Sequence, residues 1–214
     1  MRRLLLLPLV LLASAVVPGL PAAVAGPVCT VTMPYSVTAA APVTWVPPTF
    51  TGCDTYPVAT WKVTRSGKSY GTVTAKNGVS QGSWRYHDSW PTGIYQVTPL
   101  FASAVPQNST STVVKFGTRI SLKGFRQDHL KVPLSGTVSR YVASADGFVR
   151  WAHRFVSVSY SNCVGCAWHS LYSDRTDAHG VFSLAAVSDE VRYYRAAIGD
   201  TPVWWGRTST AVHY

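Results

Sequence analysis

The stretch SNCVGCAWHSLYSDRTDAHG, residues 161–180, gathers two thiols, two imidazoles and two carboxylates. Its Cys163-x-x-Cys166 spacing admits three kinds of chemistry. A redox centre needs one thiol made acidic at the positive end of a helix, and both flanks here have the composition of strands. A zinc site would take His169 and His179 as third and fourth donors of a tetrahedral set. The Cys–His spacing is that of no common finger, however, and oxidation competes with metal outside a cell. The third reading, a disulfide that pins the tip of a hairpin, is the expected one. A loop pinned in this way can also be presented to a protease as an inhibitor.

The carboxylates fit a turn better than a calcium loop. Calcium needs oxygen ligands at alternate positions, whereas Asp174 and Asp177 are three apart with Arg175 between them. In Asp177-Ala-His-Gly180 the aspartate can accept from the backbone two residues on, and Gly180 can take a positive φ. Phe182 then points inward from the strand that follows.

Other catalytic signatures are missing: there is no His-Glu-x-x-His and no phosphate-cradling glycine loop. Glu190 is the single glutamate among nine acids, which leaves little for paired carboxylates. The chain is therefore read as a non-enzyme without a cofactor or metal. Aromatics offer the better lead, because Trp84, Trp90, Trp204 and Trp205 sit in or beside turns, where an exposed indole can stack on a sugar. Strand alternation should turn one of the adjacent pair Trp204 and Trp205 outward, so these two are the candidate ligand-contacting residues.

Charge narrows the class of partner. The formal balance is +10, which permits attachment to anionic surfaces. The basic residues are scattered and form no stripe of the kind nucleic acid requires. An anionic cell-envelope polysaccharide, or another surface protein, is the expected partner.

Only 13% of residues are charged, while Val, Thr, Ser, Trp and Tyr are abundant, a composition of half-buried strands. Residues 1–25 read as a signal peptide: Arg2 and Arg3, an apolar run from Leu4 to Val17, then Ala23-Val-Ala25. Cleavage there predicts a secreted, extracellular protein with no membrane span in the mature chain, and removes two of the positive charges. Strand patterns recur at Val28–Met33, Val43–Val46, Val58–Thr64, Tyr70–Ala75, Gly93–Leu100 and Thr112–Phe116. A second set covers Arg119–Lys123, Leu134–Tyr141, Phe148–Tyr160, Ala167–Ser173, Val181–Ala186, Arg192–Ile198 and Val203–Thr210. The break between the sets predicts two β-sandwiches, residues 26–117 and 118–214. Cys29 and Cys53 are expected to form a disulfide in the first, with cross-pairing to Cys163 or Cys166 as the alternative.

Two resemblances follow. In WPTGIYQV (90–97) a Tyr two residues after a Gly leads into an alternating strand, which resembles the tyrosine corner of immunoglobulin-like domains. Tyr95 would fill that position, and Trp61 is the candidate core tryptophan. In residues 119–214 the segments LSGTVSRY, RFVSVSY, WHSLYSDRTDAHGVFSL and YYRAAIGD resemble the immunoglobulin-like repeats of secreted actinobacterial proteins. They are similar in outline to the transthyretin-like regulatory sandwich of some carboxypeptidases. The resemblance implies an all-β fold of two consecutive immunoglobulin-like sandwiches and an extracellular setting, and it implies no catalytic residues.

Overall fold

The structure is a computed structural model and describes residues 28–100 and 106–214; the expected signal peptide lies outside them. The first ten strands are β1 (Thr30–Thr32), β2 (Ser36–Ala39), β3 (Val43–Val46), β4 (Thr49–Thr51), β5 (Val58–Arg65), β6 (Lys68–Lys76), β7 (Val79–Ser80), β8 (Trp84–His87), β9 (Gly93–Pro99) and β10 (Thr110–Phe116). One layer is the six-stranded sheet β2-β10-β9-β5-β6-β7, and the pairs β1-β4 and β3-β8 form the other. Pairing is antiparallel except where β2 runs parallel to β10. Pro47 and Pro48, which have no backbone donor, separate β3 from β4, so what begins as one strand ends on a different partner.

Period-two alternation builds this core: Ala59, Trp61 and Val63 of β5 point inward and meet Tyr95 and Val97 of β9. Trp61 is fully buried and donates its indole N–H to the Asn108 carbonyl at 2.9 Å. The Asn108 side-chain amide in turn brackets the Val31 backbone at 2.8 and 2.9 Å, so the short β1 leaves neither polar group of that residue unpaired. Tyr95, also fully buried, donates its hydroxyl to the Pro91 carbonyl at 2.6 Å. That hydrogen bond is the tyrosine corner, and with the two-layer pairing it makes the sandwich immunoglobulin-like.

The second sandwich holds β11 (Thr118–Ile120), β12 (Lys123–Gly124), β13 (Lys131–Val142), β14 (Gly147–Arg150), β15 (Phe155–Ser161), β16 (His169–Arg175), β17 (Val181–Val187), β18 (Tyr193–Ile198), β19 (Arg207–Thr208) and β20 (Val212–His213). The long β13 is the spine of one layer. It pairs with β11 and β14 along one half and with β12 and β17 along the other. The second layer is β16-β15-β18, extended by β19 and β20. Val132, Leu134 and Val138 of β13 pack against Val156, Val158, Tyr194 and Ala196 of the facing layer. Gly136 is required by this packing: a Cβ there would lie 2.1 Å from the Ser121 carbonyl oxygen and 2.4 Å from the Phe182 ring.

Two expected strands are corrected. Phe148–Tyr160 is not continuous, because a turn carrying His153 at φ 53° separates β14 from β15 and moves the chain from one layer to the other. Val203–Thr210 is strand only at Arg207–Thr208, with an isolated parallel bridge between Phe116 and Trp204. Five short strands, β2, β4, β7, β8 and β20, were not anticipated.

The two sandwiches meet over an aromatic junction. Phe116 N–H donates to the Val203 carbonyl at 2.8 Å, and Trp205 N–H returns a bond to the Phe116 carbonyl at 3.0 Å. Tyr141 reaches back to donate its hydroxyl to Asp88 at 2.7 Å, in the loop that the Tyr95 corner closes. Lys115 pairs with Asp200 at 3.1 Å and lies 4.3 Å from the Trp205 ring.

Candidate functional site

The register of β13 decides which side chains share its outer face. Ser135, Thr137 and Ser139 alternate with the buried Leu134 and Val138, so their hydroxyls form a polar floor. Arg119 of β11 lies opposite Ser139, and Lys123 of β12 lies opposite Ser135. Two depressions run along this floor and share Ser121 and Thr137. One, of about 640 Å³, begins at the junction and takes in Thr38 of the first sandwich, Arg119, Phe148 and Arg207. The other, of about 350 Å³, continues past Ser135 to Lys123.

This trough is cationic and hydroxylated, and none of its lining residues is acidic. Arg119, Lys123 and Arg207 are exposed. The two ion pairs found among the described residues, Lys115–Asp200 and Arg192–Glu190, involve none of them. Arg119 is held in place by the Phe148 ring, 3.7 Å away, a cation–π contact that leaves its donors free. Ser121 and Thr137 share a hydrogen bond of 2.9 Å at the centre of the floor. Arg119 and Lys123 stand opposite residues four apart on β13, which places their backbones about 13 Å apart along the trough.

The residues singled out from the sequence are distributed elsewhere. Cys163 and Cys166 form a disulfide in the exposed turn between β15 and β16, and Cys29 and Cys53 form a second, buried one. With both thiols of the C-x-x-C tied together, that loop has neither a thiolate for metal nor a helix to acidify one. His169 stacks on Tyr160 at 5.3 Å, and His179 lies in the Asp177 turn. There Asp177 Oδ1 accepts from the His179 and Val181 N–H groups, both at 2.8 Å. The Val181 bond is the larger cause that holds this carboxyl below its ordinary range. Gly180 has φ 69°, and Phe182 is buried.

Trp204 and Trp205 require a correction. Neither is exposed: both are half-buried at the junction. Trp204 donates its indole N–H to the Tyr141 carbonyl at 3.0 Å and Trp205 to the Val37 carbonyl at 2.9 Å. The Trp204 ring is further covered by Arg140 at 4.7 Å and by Trp151 at 5.3 Å. Trp84 is also buried, with its indole N–H on the Tyr70 carbonyl. Sequence reasoning passed over Trp45, whose ring is 61% exposed beside Arg85, although alternation with the buried Val46 would have turned it outward.

No family model and no curated protein matches the chain. Among solved structures it is similar to the D00-D0 domain of Intimin, at 12% identity and a TM-score of 0.32, over 87% of this chain and 99% of that one. It is also similar to the D0-D1 domain of Intimin, at 15% and 0.31 over 87% and 96%. The human OSCAR ligand-binding domain follows at 12% and 0.30, over 88% and 99%. Scores this low carry nothing about function. The immunoglobulin-like assignment stands on the strand pairing and the Tyr95 corner.

Proposed function

We propose that this protein is a secreted, non-enzymatic binding protein that attaches to an anionic, hydroxyl-rich polymer at or near a bacterial cell envelope. The observation that carries the reading is the acid-free trough over β13, with Arg119, Lys123 and Arg207 above a floor of serine and threonine hydroxyls. The cations supply attraction and the hydroxyls supply hydrogen bonds to a polyhydroxylated chain. The backbone separation of about 13 Å between Arg119 and Lys123 exceeds the Debye length of about 8 Å at physiological salt, which favours their acting as separate contacts. A small anion meets one of them, whereas a polymer with repeated charges meets several at once and gains avidity.

Two further observations support the setting. Residues 1–25 have the residue pattern of an export signal, and all four cysteines are paired, which suits an oxidising compartment. Among the described residues no helix is long and apolar enough to cross a membrane. The test is retention of the purified protein on bacterial cell-wall material across a salt series. The reading predicts retention at low salt that falls as salt rises, and absence of retention even at low salt would leave a protein partner as the better account.

A further inference from the structure

Beyond Lys123 the trough changes character. A third depression, of about 590 Å³, shares Lys123 and Ser135 with its neighbour and is otherwise bounded mainly by Phe125, Pro133, Leu184 and Ala185. Pairing of β13 with β17 sets Pro133 opposite Ala185, and Phe125 N–H bonds the Pro133 carbonyl from the other side. The floor at this end is therefore the apolar Pro133–Ala185 pair, with Ser183 opposite Ser135 at its Lys123 end, and Phe125 is 58% exposed. Val187 at 69% and Leu130 at 53% extend apolar surface beyond it. The one charge on this depression is Lys123, which stands at the seam where the hydroxylated floor begins.

From this continuity we infer that the β13 face is an amphiphile site. Lys123 and the hydroxyls hold an anionic group, and the Phe125–Ala185 depression holds an alkyl chain attached to it. The occupant is the acyl-bearing end of an anionic polymer. Charge complementarity at Lys123 fixes where the anion sits, and the apolar depression starts within one residue pair of it, so head and chain are met without a gap. The inference rests on the polymer-binding reading for its anionic half, and the chain-binding half is new.

The probes are decyl phosphate, octyl phosphate and inorganic phosphate, each below any micelle concentration, followed by backbone amide shifts. Decyl phosphate should shift Lys123, Phe125 and Ala185 and bind about threefold to tenfold more tightly than octyl phosphate, as two partly buried methylenes require. Inorganic phosphate should bind far more weakly than either. Phe125→Ser should remove the dependence on chain length while leaving salt-sensitive retention on a deacylated polymer intact, and Phe125→Leu should restore it. Retention of a glycerol-phosphate polymer with its glycolipid end should exceed that of the same polymer after alkaline deacylation. Equal affinity for decyl and inorganic phosphate, or shifts scattered over both sandwiches, would overturn the inference while leaving the polymer reading standing. A Phe125→Ser change that turned a dimer into a monomer, with no alkyl phosphate shift in either form, would assign the depression to a second copy and overturn it as well.

Discussion

Removing one oxygen atom tests the physical account of the first sandwich. In Tyr95→Phe the ring keeps its packing against Trp84 at 5.0 Å, Tyr70 at 5.2 Å and Tyr86 at 5.9 Å, so no cavity forms. What is lost is the 2.6 Å bond to the Pro91 carbonyl. Pro91 is exposed, water can take the vacated carbonyl, and the cost should be about 1 kcal/mol. Tyr86 makes the equivalent bond to the neighbouring Trp90 carbonyl at 2.7 Å, so Tyr86→Phe should cost a similar amount. The two hydroxyls hold adjacent carbonyls of one loop, and the double variant should deviate from additivity. Urea unfolding of the four proteins measures this, with unchanged m values as the check that only stability moved. Burial, the largest cause, pushes the Tyr95 hydroxyl well above its ordinary range. Its contribution is therefore fully present below the unfolded value of about 10 and is lost as pH rises above it. The stability gap between wild type and Tyr95→Phe should accordingly shrink above about pH 10. A cost within about 0.3 kcal/mol of zero at pH 7, or a gap that widens in alkali, would refute the corner as a stabilising bond.

Other outcomes follow from the same structure. Replacing both Cys29 and Cys53 with Ala should cost about 3.5 kcal/mol in the chain-entropy model, against about 2 kcal/mol for Cys163 and Cys166, because the sequence separations are 24 and 3; paired urea curves rank them. Gly136→Ala should destabilise the second sandwich by about 1–3 kcal/mol, since its Cβ meets backbone and the Phe182 ring, and a silent substitution would mean that β11 and β13 are less closely packed than described. Trp204→Ala should uncouple the sandwiches by removing the ring that contacts Phe116, Arg140 and Trp151. Calorimetry should then resolve two transitions, and one unaltered transition would show that the junction does not depend on this ring.

How much of this was legible in the sequence depends on the range of the signal. Alternation is local, so the all-β class could be read from runs such as Val181–Ala186, although the second sandwich holds ten strands where the pattern shows seven. The cysteine pairs could be read because a chain that begins like an export signal is expected to oxidise close thiols. The strands that escaped notice are short: β7 and β20 have two residues each, β2 lies between Pro34 and Pro42, β4 follows Pro47 and Pro48, and β8 begins at Trp84, which reads as a position in or beside a turn. Trp204 and Trp205 misled because alternation presumes a strand, and the chain here is a turn flanked by Pro202 and Gly206. The trough could not be read at all. Arg119, Lys123 and Arg207 are scattered in sequence, and only the register of β11 and β12 on β13 and the return of the chain before β19 bring them together.

The most direct test of the account compares where charge is removed. Arg119→Ala, Lys123→Ala and Arg207→Ala together take three cations from the trough; Lys62→Ala, Lys68→Ala and Lys76→Ala take three from β5 and β6 of the first sandwich. Both triple variants have the same net charge, so long-range attraction is matched between them. Binding of each to a soluble anionic envelope polymer, titrated by calorimetry at physiological salt, should fall by about tenfold or more for the trough variant and change little for the other. Equal losses in the two would mean that overall basicity, not the β13 face, holds the polymer, and would contradict the central claim.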